Sequence, residues 1–556
     1  MTLTLLLLGP ITLYFTALAA WHIFRRILLA NVVCINDFPL LRNGRQAQDK
    51  VRGTAVVCGG SIAGLLTARI CHEHFERVLV IEAEEWAASE DARAVDGWKA
   101  NMKHQRTRIM QFNSLHGNQP YIYAGLQVLF PNLAEECARS DIRIASHNPL
   151  FSLSGASWKL PFTSYKDGIL PRTLLCARPG TEALLRRLIL DKTIYPNIEY
   201  LAGTVTDVVP DPANASRLGK VVVRTRSGIQ EVSAALVADC TGITRAGLKW
   251  LTRHGYGAPS EPLPKDKLPL DQIKISFDQK LRYSTIIFNL SQEFHDSLPL
   301  PDDLKPLRSI ISFLEDPTEE VLKRGRAFLC VMRFDANMLV AFVGHYGTVR
   351  PQPRNAAEMK EYVRDLHVTI PIPEWIFELF DKLQEVEDTD ATHSLVSVPP
   401  TTYVRYHLAT NLPTNFIALG DSVMTVNPLF GEGSSKVMRC VMALHKTLFR
   451  AKDTSGTSLP ESFSEDFFKE EHRRTDWLWE NTRTMDYGAL TTEPIAGDSL
   501  SRGAFARWYA TQLQRLAVTD NHAGKVMYQS VVGFATPIDA LHPHLLAKIL
   551  WAGLRA

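Results

Sequence analysis

The chain has 556 residues, too many for one compact hydrophobic core, so two or three domains are expected. Hydrophobic residues make up 46 % and charged residues 22 %, with a formal net charge of +2, which excludes a disordered chain and gives no reason to expect nucleic acid as a partner. The eight cysteines (Cys34, Cys58, Cys71, Cys137, Cys176, Cys240, Cys330, Cys440) are scattered without a C-x-x-C pair, which reads as buried reduced thiols and not as a disulfide frame or a zinc site, so no metal is expected.

Met1 to Phe24 carries no Asp, Glu, Lys or Arg, and Arg25-Arg26 follow at once. Such a stretch is long enough to span a bilayer, and Pro10 is tolerated within it. Arginines on its C-terminal side leave the body of the protein in the cytosol by the positive-inside rule. Residues 1–26 are therefore expected to be a retained single-pass anchor, in contact with the membrane through residues 1–24, with the endoplasmic reticulum as the expected membrane. A cleaved signal peptide is the rival reading, since Ala17-Leu18-Ala19 resembles a cleavage site, but the basic n-region is missing. Residues 27–50, ending in the polar run Asn43 to Lys50, are expected to be a linker.

Next comes a short apolar run, Ala55 to Cys58, then Gly59-Gly60-Ser61-Ile62-Ala63-Gly64, a helical pattern (Leu65, Leu66, Ala68, Ile70), and a second apolar run, Val78 to Ile81, closing on Glu82. This is a β-turn-α-β unit carrying the G-x-G-x-x-G dinucleotide fingerprint with Ser61 in place of the middle glycine. Gly59 permits the tight turn, Gly60 and Ser61 let the backbone approach a pyrophosphate, and Gly64 lets helix and strand pack closely. The helix N-terminus offers unpaired N–H groups to phosphate, and Glu82 falls where a ribose-binding acid belongs.

The polar segment Ala87 to Lys103 leads to Arg106–His116, which suits neither a clean helix nor a clean strand and is a loop near a cofactor or a solvated connection. Ala177-Arg178-Pro179-Gly180 opens an amphipathic helix, with Arg178 at its entrance as a ligand or as a surface charge. Strand patterns at Ile198 to Leu201, Val205 to Val209 and Val221 to Arg226 lead into the apolar run Ala234 to Thr241, which carries Asp239 with Gly242 after it. An acid there either meets a ligand at the end of an open sheet or caps the next helix. From about Leu263 to Thr401 long alternating runs predict a mostly antiparallel sheet with one wet face, a wall for a substrate. In Asn415 to Ala443 a buried strand delivers Gly420-Asp421, and Pro428, Gly431 and Gly433 precede a helix from about Ser434. Asp421 is placed to accept from a ribose or ribityl hydroxyl, and the Gly-x-Gly turn to stabilise negative charge on a bound ring. The tail, Phe463 to Ala556, is helical, and its apolar end, His544 to Leu554, either packs on the body or lies on a membrane surface.

Taken in order, GGSIAG with Glu82, DCTG at Asp239 to Gly242, and GDS…NPLFGEG at Gly420 to Gly433 resemble the FAD-dependent monooxygenases of the para-hydroxybenzoate hydroxylase superfamily, nearest the polyether and squalene epoxidase branch. The resemblance runs from about Thr54 to the C-terminus and implies an α/β fold. Its parts would be a Rossmann-type FAD-binding domain in two pieces (51–262 and 402–450), an inserted antiparallel substrate sheet (263–401), and a C-terminal helical region (451–556). By the same resemblance Gly59, Gly60, Ser61 and Gly64 hold the FAD pyrophosphate, Glu82 the adenosine ribose, Arg178 the ribityl and phosphate side, and Asp421 the ribityl or pyrophosphate. Gly431, Gly433 and Ser434 would form the turn under the flavin ring, and Asp239 and Gly242 would belong to a motif linked to FAD and NAD(P)H. The serine and arginine usually spaced after that motif are not cleanly present. In the loop where the epoxidases carry Arg-Lys-Gly-Val-Pro-Gln and two histidines, only Gln111 and His116 match.

The implied activity is NAD(P)H- and O2-dependent epoxidation or hydroxylation of a hydrophobic small molecule of terpenoid, meroterpenoid or polyketide type, in secondary metabolism. In such enzymes the cofactor does the chemistry, and no catalytic side chain is assigned. The alternatives are a flavin-dependent halogenase, as the nearest rival, a flavin-dependent reductase, a Baeyer-Villiger enzyme, and a non-catalytic escort for prenyl groups. The Trp-x-Trp-x-Ile-Pro signature of tryptophan halogenases is absent: Trp477-Leu478-Trp479-Glu480 is followed by Asn481.

Overall fold

Near-continuous apolar runs make strands buried on both faces, and such strands form parallel sheets covered by helices. In the computed structural model five of them assemble in the order Phe416–Ala418, Leu236–Asp239, Val51–Cys58, Phe75–Glu82, Ile198–Ala202, every pair parallel. The structure describes all residues except 1, 96–105, 107–108, 110, 154–155, 259–262, 305–309, 335–336 and 554–556, so the second half of the polar segment before Arg106 lies outside the described residues. Register brings the motif-bearing ends together: Cys58 pairs with Asp239 and Ile81, and Asp239 with Ala418. Three segments far apart in sequence therefore leave the sheet at one edge, where open α/β sheets bind ligands.

A seven-stranded sheet stands against this edge, in the order Ala391–Ser397, Leu281–Asn289, Met338–Tyr346, Ala327–Arg333, Ile311–Leu314, Leu150–Leu153, Ala156–Ser157. It is antiparallel except where Ile311–Leu314 meets Leu150–Leu153. The last two strands come from before residue 263, so this sheet does not begin at the boundary expected from composition. Ile286, Phe288, Leu339 and Ala341 pack under Met359, Val363, Ile376 and Leu379 of two covering helices. The other face, expected to be wet, carries Tyr283, Phe328 and Phe342, and Met338–Tyr346 is buried throughout. That face packs against Leu115, Val398 and Leu429, so alternation in sequence did not mean alternation between core and solvent.

Helix α1 (Thr2–Leu28) is apolar, the stretch Thr12–Arg42 that begins within it is long and apolar enough to cross a membrane, and Leu13, Phe15, Ile23 and Phe24 of the helix are exposed. Its base is tied to the far end of the chain: Trp21 Nε1 donates to the Ile538 carbonyl at 2.8 Å and Arg25 Nε to Asp539 Oδ1 at 2.6 Å. Residues 29–45 depart from the expected linker. Val33, Cys34, Phe38 and Leu41 are buried, Tyr121 Oη donates to the Val33 carbonyl, and Arg474 Nη2 donates to Asp37. The physical reason is that the residues before the polar run Asn43 to Lys50 carry enough apolar side chains, Val33, Phe38 and Leu41 among them, to form a belt on the body.

Among the other helices are α2 (Ile62–His74), α3 (Arg178–Ile189), α4 (Gly433–Ser455), α5 (Phe463–Asp486), α6 (Asn521–Val531) and α7 (Pro543–Gly553). The Trp477 to Trp479 run lies inside α5. Helix α7 packs through Leu545 and Ile549 and leaves Leu550 and Trp551 exposed. All eight cysteines are buried, and none is in a disulfide.

Candidate cofactor and substrate site

The turn after Val51–Cys58 is built from glycines that nothing larger can replace. Gly59 has φ +118°, and a Cβ there would collide with the Cys240 carbonyl oxygen. A Cβ on Gly60 would strike the Tyr200 hydroxyl, and one on Gly64 the Gly59 carbonyl. Ser61 precedes α2 but does not cap it; its hydroxyl donates to Glu182 Oε1 at 2.7 Å and accepts from Arg178 Nη2 at 2.9 Å. The first-turn N–H groups of α2 are left without a side-chain cap, as an anion-binding helix start requires.

Around this turn lies a cavity of about 420 Å³. Ten of the twelve residues expected at the site line it: Gly59, Gly60, Ser61, Glu82, Arg178, Gly242, Asp421, Gly431, Gly433 and Ser434. Gly64 stands behind it for close packing. Glu82 Oε2 accepts from Gly60 N at 2.9 Å and from Arg106 Nη2 at 2.7 Å. Asp421, half exposed towards the cleft, is held by Lys436 Nζ at 2.6 Å. Gly431 has φ +64°, which turns the chain into α4 so that the start of that helix meets the cavity.

Asp239 departs from the expected cofactor contact. It is wholly buried and off the cavity wall: Oδ1 accepts from Thr241 N, Thr241 Oγ1 and Ser422 Oγ, and Oδ2 from Gly247 N at 2.8 Å. With its lone pairs spent on the next turn and helix, Asp239 shapes the site from behind. Ser422 Oγ also accepts from Gly242 N at 2.9 Å, which joins the second and third motifs.

Arg245, Arg106 and Glu182 were not singled out from sequence, whereas His116 was. Arg245, beyond the expected motif spacing, lines the cavity with φ +49°, and its Nε and Nη2 are buried without hydrogen-bond partners. Arg106 is buried among Glu82, Glu84 and Glu182, and Glu182 also binds Arg178 and Arg186. No spacing rule reveals such a cluster, because its members come from separate loops and a helix. His116 lies where the network meets the ring-side turn: Nε2 faces Arg178 Nη1 at 3.5 Å and Ser434 Oγ at 3.3 Å. Burial, reinforced by Arg178, pushes its pKa down to about 3, so the ring is neutral; Nε2 accepts, and the proton rests on Nδ1, a buried atom without a partner.

The residues fit a dinucleotide with a flavin ring. The glycine cradle admits close backbone approach, the start of α2 and the unsatisfied Arg245 donors suit a pyrophosphate, and the 431–434 turn offers a second helix start. A second, smaller cavity of about 90 Å³ adjoins the first and shares Leu115, Gly117, Pro428 and Gly431 with it.

No family model matches the chain. In sequence it is similar to Protein Rv3254 of Mycobacterium tuberculosis (strain ATCC 25618 / H37Rv), at 21 % identity over 448 residues, 79 % of this chain and 82 % of that one. In structure it is similar to the flavin-dependent brominase Bmp2, with a TM-score of 0.52, 11 % identity, and coverage of 91 % of this chain and 99 % of that one. It is likewise similar to p-nitrophenol 4-monooxygenase PnpA from Pseudomonas putida DLL-E4, with a TM-score of 0.50, 15 % identity, and coverage of 88 % and 100 %. These likenesses show the fold: the chain has the mixed α/β architecture, with a parallel sheet and a large mainly antiparallel one, of the FAD-binding monooxygenases and halogenases.

Proposed function

We propose that the protein is an FAD-dependent monooxygenase that uses NAD(P)H and dioxygen to epoxidise or hydroxylate a hydrophobic small molecule, held at a membrane by α1 with its body in the cytosol. The observation that carries this reading is the convergence of three remote segments on one cavity, with glycines where a Cβ cannot fit and buried arginine donors left unsatisfied. Bound there, FAD supplies the redox chemistry with dioxygen.

The chain's own residues hold and orient. Gly59, Gly60 and the start of α2 receive the pyrophosphate with Arg245, Glu82 faces the adenosine ribose, and Asp421 the ribityl chain. Gly431, Gly433 and Ser434 meet the ring, with His116 steadied between Ser434 and Arg178. The apolar face of the large sheet backs Leu115, Val398 and Leu429 on the ring side, where they help exclude water. The exposed apolar length of α1 supports delivery of a lipophilic substrate from a bilayer.

The test is flavin content and the fate of oxygen. Full-length protein purified in detergent is expected to carry or take up one FAD per chain, and Gly59→Val or Gly64→Val to abolish this. With a turned-over substrate, ¹⁸O from labelled dioxygen is expected in the product; a product without label overturns the monooxygenase reading, and a chain that never takes up FAD overturns the cofactor.

A further inference from the structure

The ring-side turn is held from behind by one amide. Asn427 is wholly buried, and its Oδ1 accepts from Leu429 N at 2.9 Å, which closes the turn Pro428–Phe430. Its Nδ2 donates to Tyr346 Oη at 2.9 Å and to Asp486 Oδ1 at 2.6 Å. Because Leu429 N is a donor, the amide is satisfied only this way round. Pro428 brings no N–H of its own, so the Asn427 side chain carries the start of the turn, while Gln119 Nε2 holds the Phe430 carbonyl at 3.3 Å. Pro428 and Gly431 line both cavities, so where this turn sits decides the shape of each.

Asp486 ends α5, is wholly buried and lines neither cavity. Its Oδ1 also accepts from Tyr346 Oη at 3.2 Å, at the end of a strand of the large sheet, whereas Oδ2 is buried without a partner. One carboxyl therefore joins a C-terminal helix, the large sheet and the ring-side turn. The cations nearby are engaged elsewhere: Arg483, one turn back on α5, pairs with Glu480, and Arg326, whose carbonyl accepts from Tyr346 N, donates to the Glu315 carbonyl at 2.7 Å. A buried carboxylate without a cation is costly, and burial raises the Asp486 pKa to about 7. Tyr346, pushed up by burial and by Asp486, stays neutral. With Oδ1 accepting twice, the proton rests on Oδ2. Once it is lost, both bonds to Oδ1 become charge-assisted, shorter and about twice as strong, and the pull falls on Asn427.

We propose that Asp486 is a positioning residue that sets the ring-side turn through the Asn427 amide, so that a proton gained or lost behind the wall is felt at the cofactor ring. This rests on the reading that the larger cavity holds a flavin, and it assigns control of the ring's surroundings to a residue that touches neither ring nor substrate.

The test labels the turn itself. Full-length protein in detergent carries 4-fluorophenylalanine in place of Phe430 alone, and its ¹⁹F shift is followed from about pH 5 to 9. His116 and His147, held at about 3 and about 4, do not titrate there. Glu432, within the turn and held at about 7, adds a step of its own, which Asp486→Asn leaves in place. The Asp486 step is expected near pH 7. It should vanish in Asp486→Asn, which keeps an acceptor for both bonds and mimics the protonated carboxyl. In Tyr346→Phe, which removes a donor to the anion, its midpoint should rise by about one pH unit. A curve that keeps its midpoint and amplitude in Asp486→Asn overturns the proposal; where that variant does not fold, a curve unmoved by Tyr346→Phe does so. The visible absorption of bound FAD is expected to follow the same step and to be fixed in Asp486→Asn, and a turn that titrates beneath an unchanging spectrum overturns the reach to the ring. A chain that takes up no FAD fails the cofactor reading, and the fluorine curves then decide the positioning on their own.

Discussion

Arg106 donates to Glu82 across 2.7 Å, and the same guanidinium reaches Glu182 at 2.6 Å and Glu84 on its remaining edge. One buried cation thus ties the acid at the end of the second strand to helix α3, whose first residue, Arg178, faces the ring-side turn. From Gly60 N through Glu82, Arg106, Glu182, Arg178 and His116 to Ser434, each neighbour is bonded to the next, so both ends of the site belong to one polar network.

Replacing Arg106 with Ala leaves Glu82 and Glu84 without their cation in a sheltered place and takes one of three arginines from Glu182. Breaking a buried ion pair from one side costs ~3–5 kcal/mol, so Arg106→Ala is expected to lower the melting temperature and empty the flavin site. Because the cluster is sheltered, raising salt to about 1 M should barely alter FAD affinity of the unaltered protein. A salt-sensitive affinity, or a full flavin complement in Arg106→Ala, contradicts this placement.

Ser61 is a deviation from the glycine pattern with a visible task. Its hydroxyl accepts from Arg178 and donates to Glu182, hydrogen bonds to charged groups worth roughly 1.5–3 kcal/mol. Ser61→Ala should therefore weaken FAD binding by about tenfold or more, and Ser61→Gly, which restores the usual fingerprint, should do so no less. FAD titration by fluorescence decides it: a Gly variant that binds better than the native protein shows the serine to be a mere tolerated substitution.

What could be read from sequence here was local pattern. The β-turn-α-β unit, the glycine turn before α4 and the antiparallel character of the large sheet each follow from residues within thirty or so positions of one another. Asp239 looked the same in sequence whether it met a ligand or shaped a turn, and only the donors Thr241, Ser422 and Gly247 decide for the turn. Arg245 and Arg106 were illegible for the opposite reason: an arginine in a loop reads as a surface charge until the fold buries it. The belt at 29–45 escaped because its partners, Arg439 and Arg474, lie some four hundred residues away.

That belt limits where the chain can be shortened. Arg439 is 1 % exposed and donates to the carbonyls of Val32 and Val33 and to that of Gly533. Arg45 Nη2 donates to the Leu448 carbonyl at 2.9 Å, and Arg474 to Asp37. A chain starting at residue 29 keeps these bonds and is expected to fold and hold FAD without the apolar helix. One starting at residue 51 strands buried arginine donors, at several kcal/mol, and should be insoluble or flavin-free. Equal yield and flavin content from both truncations would refute the belt.

The pH dependence of stability is set by buried groups on opposite sides of neutrality. Burial raises Glu471 to about 8 and Glu432 and Asp486 to about 7. These keep their protons in the fold while the unfolded chain releases them above about pH 4, so the unfolded state binds fewer protons and stability falls as pH rises towards 8. Burial also lowers His147, His345 and His445 to about 4 and His116 and His407 to about 3. These stay neutral in the fold while the unfolded chain takes up protons below about pH 6.5, so stability falls as pH drops through that range. Histidines held neutral weaken the fold on the acid side and protonated carboxyls on the alkaline side, which places the maximum between the two, near neutral pH. Glu471→Gln, an uncharged replacement at a site where Oε1 already lacks a partner, should remove much of the alkaline decline and stabilise the protein at pH 8 by on the order of 2–4 kcal/mol. Denaturant midpoints measured between about pH 5 and 9 test this; a variant that declines above neutrality as steeply as the native protein shows that Glu471 is ionised in the fold and paired with something.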